Sequence, residues 1–264
     1  MGLMPQQSTQ SFDPAASFDP AAFSRLFELE SKHFWFRARN QVIAAVMRRY
    51  GVGDPHDARI LEVGCGNGNV ANHISQSLEV QVWGGDLFAE ALAFSRERSD
   101  LPLIQLDTGR LPFDGSLDLV CMFDVLEHLQ AESETLAEAY RALRPGGRIV
   151  LTVPAHAWLW SYFDVKSHHR RRYGKAELRQ KLEEEGFDVE ICRYYMMALL
   201  PLVLVGRRLQ AWRSSDVNRM AEADFRVVPF LNEVLYWLCG AEKWLVPRVG
   251  MPFGTSLIAL GRRK

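Results

Sequence analysis

The segment Ile60-Leu-Glu-Val-Gly-Cys-Gly-Asn-Gly-Asn-Val70 joins an apolar, strand-like run to three glycines at alternate positions and then to a helical pattern. Gly64, Gly66 and Gly68 let the backbone turn tightly and approach a ligand without Cβ hindrance, and the following helix points its free N–H groups at the bound molecule. Such a turn grips a nucleotide-like cofactor. Its spacing discriminates between cofactors: a dinucleotide fold wants G-x-G-x-x-G, but position 69 is Asn, so the pattern is G-x-G-x-G with Glu62 two residues ahead. Val80-Gln-Val-Trp-Gly-Gly-Asp86 reads as a second strand ending in an acid. An acid about 20 residues beyond the turn can accept both hydroxyls of a ribose. Proton removal near neutral pH points to histidine, and His128, which follows the apolar run 117–123, and His169 are candidates for a catalytic base. The His168-His169 pair lacks further convincing ligands in the sequence, so no metal is expected.

The elements that must hold these residues follow in order. A third strand at about 101–106 ends at Asp107-Thr-Gly-Arg-Leu-Pro-Phe113. Leu117-Asp-Leu-Val-Cys-Met-Phe-Asp-Val-Leu-Glu-His-Leu129 reads as a fourth strand and the loop after it, and Leu143-Arg-Pro-Gly-Gly-Arg-Ile-Val-Leu-Thr-Val-Pro154 as a helix end, a turn and a fifth strand. A helix over 174–185 and strands over 187–194 and 255–261 complete the set. With the glycine turn, these segments resemble class I S-adenosylmethionine-dependent methyltransferases over about residues 34–194 plus the final strand.

The resemblance implies a Rossmann-like α/β fold: a seven-stranded, mostly parallel sheet with helices on both faces, an N-terminal helical lid and a helical insertion before the last strand. It implies S-adenosylmethionine as cofactor, held by Gly64, Cys65, Gly66 and Gly68. Glu62 would orient the loop or the cofactor's ammonium, and Asp86 would take the ribose diol. Leu87 would pack on adenine, Asp107 and Thr108 would border the base, and Asp124 would lie near the amino-acid tail or the acceptor. Phe34-Trp-Phe-Arg-Ala-Arg-Asn40 resembles N-terminal segments in which an arginine, here Arg39, reaches the cofactor's carboxylate; packing aromatics with solvated arginines is the plainer alternative. The Glu-His-Leu sequence at 127–129 is widespread in the family whatever the substrate, which leaves a structural role open for His128.

Val153-Pro-Ala155, Leu159-Trp160, Asp164 and His169-Arg-Arg-Arg-Tyr173 resemble a subgroup with a V-P-A…L-W…D…H-x-R-R-Y signature, often linked to cell-surface glycans or lipid-linked intermediates. Trp158, Trp160 and Tyr162 could form an apolar or sugar-stacking wall. Arg170–Arg172 could meet a phosphate or carboxylate, or could form a solvated basic turn.

Residues 1–22 hold a tandem Ser-Phe-Asp-Pro-Ala-Ala repeat, and prolines 14 and 20 favour a flexible tail. From Phe23 to position 52 the apolar spacing is helical; residues 53–195 and 254–264 form the expected core, and 196–253 the insertion. The insertion's apolar runs fall short of the roughly 18–20 residues that span a bilayer. They read either as a cap over the substrate cleft or as a membrane-facing surface, since Arg207, Arg208, Arg213, Arg219 and Arg226 lie among apolar and Trp-containing segments. The 264 residues fit one domain with additions, and a net charge of −1 argues against nucleic acid as a partner. Four scattered cysteines and no secretory signal point to reduced thiols and a cytoplasmic protein, free or peripheral on the inner face of the membrane. The expected activity is O-methylation of a small, glycan or lipid-linked acceptor. A quinone- or polyketide-type C- or O-methyltransferase and an inactive cofactor-binding scaffold that docks a partner are the alternatives.

Overall fold

A computed structural model describes residues 22–52, 58–210 and 228–264. The tail expected at 1–22 lies, but for its last residue, outside the described residues, as do Arg213, Arg219 and Arg226 and the side chains of Arg207 and Arg208. The strands are β1 (Ile60–Val63), β2 (Val82–Asp86), β3 (Leu103–Gln105), β4 (Leu117–Phe123), β5 (Leu143–Pro154), β6 (Phe187–Tyr195) and β7 (Ser256–Arg263). They form one sheet in the order β3-β2-β1-β4-β5-β7-β6. All pairs are parallel except those of β7, which runs antiparallel to both β5 and β6.

Alternating side chains of each strand feed two apolar layers. Ile60, Val82, Leu119, Cys121 and Val150 pack on one face with Val42, Ile43, Val46 and Met47, while Leu61, Val63, Val120, Met122 and Leu151 pack on the other with Leu136, Leu178 and Leu182. Burial on both faces explains why the central strands are nearly all apolar rather than alternating. Between β1 and its neighbours β2 and β4 the strand order departs in opposite directions. Such a switch point leaves a crevice at the carboxyl ends of the strands. The glycine turn, Asp86 and Asp124 stand there, at the ends of β1, β2 and β4.

The expected turn before the fifth strand is present as an irregularity inside a longer strand. Leu117 pairs with Leu143, but Leu119 pairs with Arg148, so Arg144–Gly147 loop out of the ladder and Gly146 takes φ +77°. All four cysteines are free and buried.

The N-terminal pattern forms α1 (Ala22–Glu30) and α2 (Phe34–Arg49). The core helices are α3 (Asn69–Leu78), α4 (Ala89–Arg98), α5 (Glu132–Ala142), α6 (Tyr162–Lys166) and α7 (Lys175–Glu184). Between β6 and β7 the insertion supplies α8 (Leu199–Gln210) and α9 (Pro229–Gly240). No helix among the described residues is long and apolar enough to cross a membrane.

The insertion braces the N-terminal helices. Buried Asn232 on α9 accepts the Phe34 N–H at 2.8 Å and donates to the Lys32 carbonyl at 3.0 Å, satisfying one of the free donors that every helix start leaves. Arg37 pairs with Glu233 and its guanidinium lies 3.9 Å from the centre of the Tyr236 ring. Buried Glu242 accepts the N–H groups of Met196 (2.6 Å) and Ala198 (3.1 Å), fixing where the chain leaves β6. Asn232→Ala strands two backbone groups and is expected to destabilise the fold by about 1–3 kcal/mol. Urea unfolding reads this as a lower midpoint at unchanged slope; an unchanged midpoint would show that the bridge contributes nothing to stability.

Candidate functional site

The glycine turn is stitched to the end of β2. The N–H groups of Gly64 and Cys65 both donate to the Gly85 carbonyl, at 2.8 and 3.0 Å. Gly64, Gly66 and Gly68 all have positive φ, of 72°, 54° and 69°. A Cβ on Gly64 would come within 2.7 Å of Val125, and one on Gly68 within 2.2 Å of the Ser95 hydroxyl, so these two are also required by packing. Gly66 differs: a Cβ there would meet nothing within 4 Å, so its exposed edge faces open space where a ligand could approach the backbone.

Asp86 closes this turn from below. One carboxylate oxygen accepts the Gly66 N–H at 2.8 Å and the other the Phe88 N–H at 2.9 Å. A carboxylate has about four lone-pair sites, so each oxygen retains capacity for a further donor such as a hydroxyl. Burial raises the Asp86 pKa, and the backbone N–H groups of Phe88, Gly66 and Leu87 offset part of that rise. Leu87 follows at the rim, its carbonyl held by Gln105 at 2.9 Å. Asp107 and Thr108 stand at the end of β3 beside Asp86, linked to it through the Leu106 N–H donating to the Asp86 carbonyl. Asp107 is exposed and accepts the Gly109 N–H at 2.9 Å, an Asx-type turn. The Cys65 side chain is buried, desolvation raises its thiol pKa well above the usual value, and its Sγ packs beneath Gly84.

Glu62 lies under the turn, only 2% exposed, and its Oε2 has no hydrogen-bond partner. Burial pushes its carboxyl up to about 8; Arg39 opposes that shift, while Glu30 and Asp86 add to it. Arg39, on α2, is buried and forms an ion pair with Asp124, which ends β4 with φ +56°. The guanidinium also lies 4.8 Å from the Trp35 ring centre, and its Nε has no partner. Arg39 is therefore not one of the solvated arginines that the plainer reading of its segment allows.

Helix α1 packs against the glycine turn and α4. The Phe23 carbonyl accepts from Asn67 at 3.0 Å, and the Phe23 and Phe88 rings lie 5.7 Å apart. Arg98 on α4 ties the helix down through Glu30 (2.7 Å) and the Asn67 carbonyl (2.8 Å). A crevice with buried acids, a bare glycine edge and spare acceptor capacity suits a ligand that carries hydroxyls and a cationic group. Asn67 and Glu30 carry no motif of their own, and sequence reasoning gave them no role.

The other side of Asp124 is built from two distant segments. After β4 a 3-10 turn spans Leu126–His128, and residues 155–173 fold over it. Arginines 170–172 account for that docking. The Arg170 N–H donates to the Glu127 carbonyl (2.7 Å) and its Nε to the His128 carbonyl (3.1 Å). Arg171 reaches the Leu129 carbonyl and pairs with Glu132 at 2.6 Å; Arg172 pairs with buried Asp164 at 2.7 Å. Arg171 and Arg172 thus meet carboxylates of the chain itself and are not free for a ligand's phosphate, while Arg170 donates to two carbonyls and stays exposed; all three strap the segment down.

The straps bring His128 and His169 together, with ring centres 4.8 Å apart and edge to face. His169 Nδ1 contacts Asp164 Oδ1 at 2.9 Å. Burial works against ionisation of Asp164, but the hydrogen bonds from His169 and Arg172 outweigh it and hold the carboxyl at about 2. Glu127, fully buried between this cluster and Asp124, has its pKa raised well above the usual carboxyl value by burial and by the Asp124 charge; its own N–H, Arg39 and Arg172 counter only part of this. His156 stacks on Tyr194 at 4.9 Å and lies 5.3 Å from Trp158. Trp158 and Trp160 are 58% and 40% exposed, so the expected apolar wall is open to solvent. Glu127 was missed as a site residue; its spacing of three from Asp124 was the available signal.

Comparison with known proteins fits this geometry. The profile of the Methyltransferase domain family matches residues 34–190. A "Probable S-adenosylmethionine-dependent methyltransferase" of Mycolicibacterium smegmatis is 32% identical over 168 residues, covering 61% of this chain and 62% of the relative, a little under two thirds of its length. Another protein so described, Rv3030 of Mycobacterium tuberculosis, is 30% identical over 200 residues, or 72% of this chain and 71% of the relative. The solved structure of an SAM-dependent methyltransferase from Thermotoga maritima shares the fold with a TM-score of 0.56 at 14% identity, over 92% of this chain and 95% of that one. A glycine turn, an acid at the end of β2 and a family match over more than half of the sequence agree: the chain belongs to the class I S-adenosylmethionine-dependent methyltransferases, and S-adenosylmethionine is its cofactor.

Proposed function

We propose that the protein transfers a methyl group from S-adenosylmethionine to a hydroxyl oxygen of a lipid-linked acceptor. The observation that carries this reading is the acid-lined crevice, in which Glu62 is buried without a partner for Oε2 and Asp86 keeps acceptor capacity beside the bare edge of Gly66. The bound cofactor supplies a methyl group already activated on a sulfonium. The chain's own residues supply position. Asp86 accepts the ribose hydroxyls, Glu62 meets the ammonium, Arg39 and Asp124 hold the amino-acid end, and α1 shields the crevice as a lid. Orientation of this kind can supply roughly 7–11 kcal/mol of barrier lowering, against about 10²–10⁴-fold from a proton acceptor. Our candidates for such a proton acceptor are His128 and His169, whose rings meet edge to face, with His169 oriented by Asp164.

The insertion supports the lipid-linked part of the reading. Phe230, Leu231, Trp237, Trp244, Leu245 and Val249 are all exposed, Phe230 by 83% and Val249 by 77%. Apolar surface concentrated in this way marks an interaction site. Lys243 and exposed Arg248 border Trp244, and five further arginines occupy positions 207–226 of the same insertion. Basic residues beside apolar aromatic helices suit an anionic bilayer surface.

Incubation with methyl-labelled cofactor and separated lipid and sugar fractions tests the reaction: label is expected in a lipid-extractable product, and transfer to neither fraction would favour the scaffold alternative. Asp86→Ala should weaken cofactor binding by about 1.5–3 kcal/mol, the scale of hydrogen bonds to a charged group, with the fold retained; an unchanged calorimetric affinity would remove the ribose assignment.

Glu62 gives a pH dependence with a defined sign. Its carboxyl titrates near 8 in the unliganded protein, whereas pairing with an ammonium requires the anion, so binding expels a proton. Cofactor affinity should rise with pH from about 6 toward 8, by as much as about ten-fold per pH unit, and the binding heat should vary with the buffer's ionisation enthalpy. Glu62→Gln should abolish both effects, and a wild type without them would exclude Glu62 from the ammonium site. In vesicle flotation at low salt the protein should rise with anionic vesicles and detach as salt increases; a protein that stays wholly in the soluble fraction would leave the insertion as a cap alone.

A further inference from the structure

Glu127 is fully buried, and neither of its carboxyl oxygens has a hydrogen-bond partner in another residue. A buried acid in that state is costly unless a proton neutralises it or a cation meets it. The two neighbouring guanidinium groups bond to other carboxylates, Arg39 to Asp124 and Arg172 to Asp164. Two imidazoles stand close to it. One donor atom from each of Glu127, His128 and His169 lies within 4.8 Å of the other two.

The surroundings of His169 are those of a ligand. Its Nδ1 is held by Asp164 Oδ1 at 2.9 Å, which leaves Nε2 for a further partner. Asp164 is in turn fixed by Arg172 Nε and by the Ser161 N–H, both at 2.7 Å. A carboxylate behind a histidine sets its tautomer and ring orientation and raises its basicity, as found behind metal-bound histidines. The backbone is equally fixed, because the Arg170 N–H anchors the Glu127 carbonyl and Arg170 Nε the His128 carbonyl.

We infer that Glu127, His128 and His169 together bind one divalent transition-metal cation, of the zinc or manganese kind, on the acceptor side of the crevice. Two imidazole nitrogens and one carboxylate are a donor set that holds such ions while leaving coordination positions open. The sequence suggested no metal because it offered only the His168-His169 pair; the fold replaces exposed His168 with His128 and adds Glu127. The role of the ion, though not its binding, rests on the methyltransferase reading. An open position takes the acceptor's hydroxyl oxygen, and the cation eases loss of that proton to water. The oxygen then forms the new bond to the methyl carbon, and the electron pair of the broken carbon–sulfur bond goes to sulfur. The histidine pair thus acts through the cation instead of as a free imidazole base.

The test needs neither acceptor nor turnover. Full-length protein is stripped with chelator and titrated with Zn2+, and separately with Mn2+, in a calorimeter. One site per chain is expected, and Glu127→Gln, His128→Ala and His169→Ala should each weaken it by about ten-fold or more. Asp164→Asn should cost about 10–100-fold through its hold on His169. Glu127→Gln changes charge but not shape and serves as the control against misfolding, with cofactor affinity measured on each preparation. Absence of binding by the wild type, or binding unchanged in the Glu127 and histidine variants as buried thiols would give, would overturn the inference. Cofactor binding without metal binding would discard the cation alone, and metal binding without cofactor binding would discard the methyltransferase reading while keeping the site.

Discussion

The buried ion pair between Arg39 and Asp124 is the contact on which the rest of the site depends. It joins α2, an N-terminal addition, to the end of β4, the strand that runs on into the Leu126–His128 turn. Four acidic side chains, Glu62, Asp86, Asp124 and Glu127, collect around the carboxyl ends of β1, β2 and β4. Like charges gathered in a low-dielectric interior repel strongly and raise one another's pKa values. Arg39 is the cation that tempers this: its charge lowers both Glu62 and Glu127, yet it bonds directly only to Asp124. Glu62 and Glu127 keep carboxyl oxygens without a partner, and that deficit suits a cationic ligand.

The same pair makes the additions to the core interdependent. Arg39 can reach Asp124 only if α2 keeps its place, and α2 is held from behind by α9 through Asn232, Glu233 and Tyr236. The insertion is anchored in its turn by Glu242 at the exit from β6. A chain of polar contacts, buried at Asn232 and Glu242 and more exposed at Arg37–Glu233, therefore runs from the apolar surface of the insertion to the crevice. Anything that binds that surface acts on elements that also position Arg39. On the opposite flank, arginines 170–172 spend their donors on carbonyls and carboxylates of the 127–132 segment, so this wall of the site is tied to the core by charge-assisted bonds.

Much of the fold was legible in the sequence because its determinants are local. A strand buried on both faces is mostly apolar, and the runs Leu119–Phe123 of β4 and Ile149–Leu151 of β5 announce themselves in that way, as does β1 apart from Glu62. Gly64, Gly66 and Gly68 were recognisable because a turn with positive φ at alternate positions excludes residues with a Cβ, and Asp86 because an acid that ends a buried strand needs a reason. The looped-out segment at Arg144–Gly147 was read as a turn before the strand, since Pro-Gly-Gly signals irregularity without saying on which side of it pairing resumes.

Tertiary structure alone decided which side chains meet. His128 and His169, with Asp164 behind the second and Glu127 beside both, come together because residues 155–173 fold back over the end of β4, and no spacing in the sequence encodes that distance. The three consecutive arginines showed the same limit. From composition they offered a site for an anion, and only the carbonyls and carboxylates brought opposite them by the fold turned them into struts. Local conformational preference acts on each residue and its neighbours, so the sequence by itself determined the sheet, the glycine turn and the acid beside it. Burial, charge partners and vacant acceptors are properties of pairs distant in the chain, and these the packed structure had to settle.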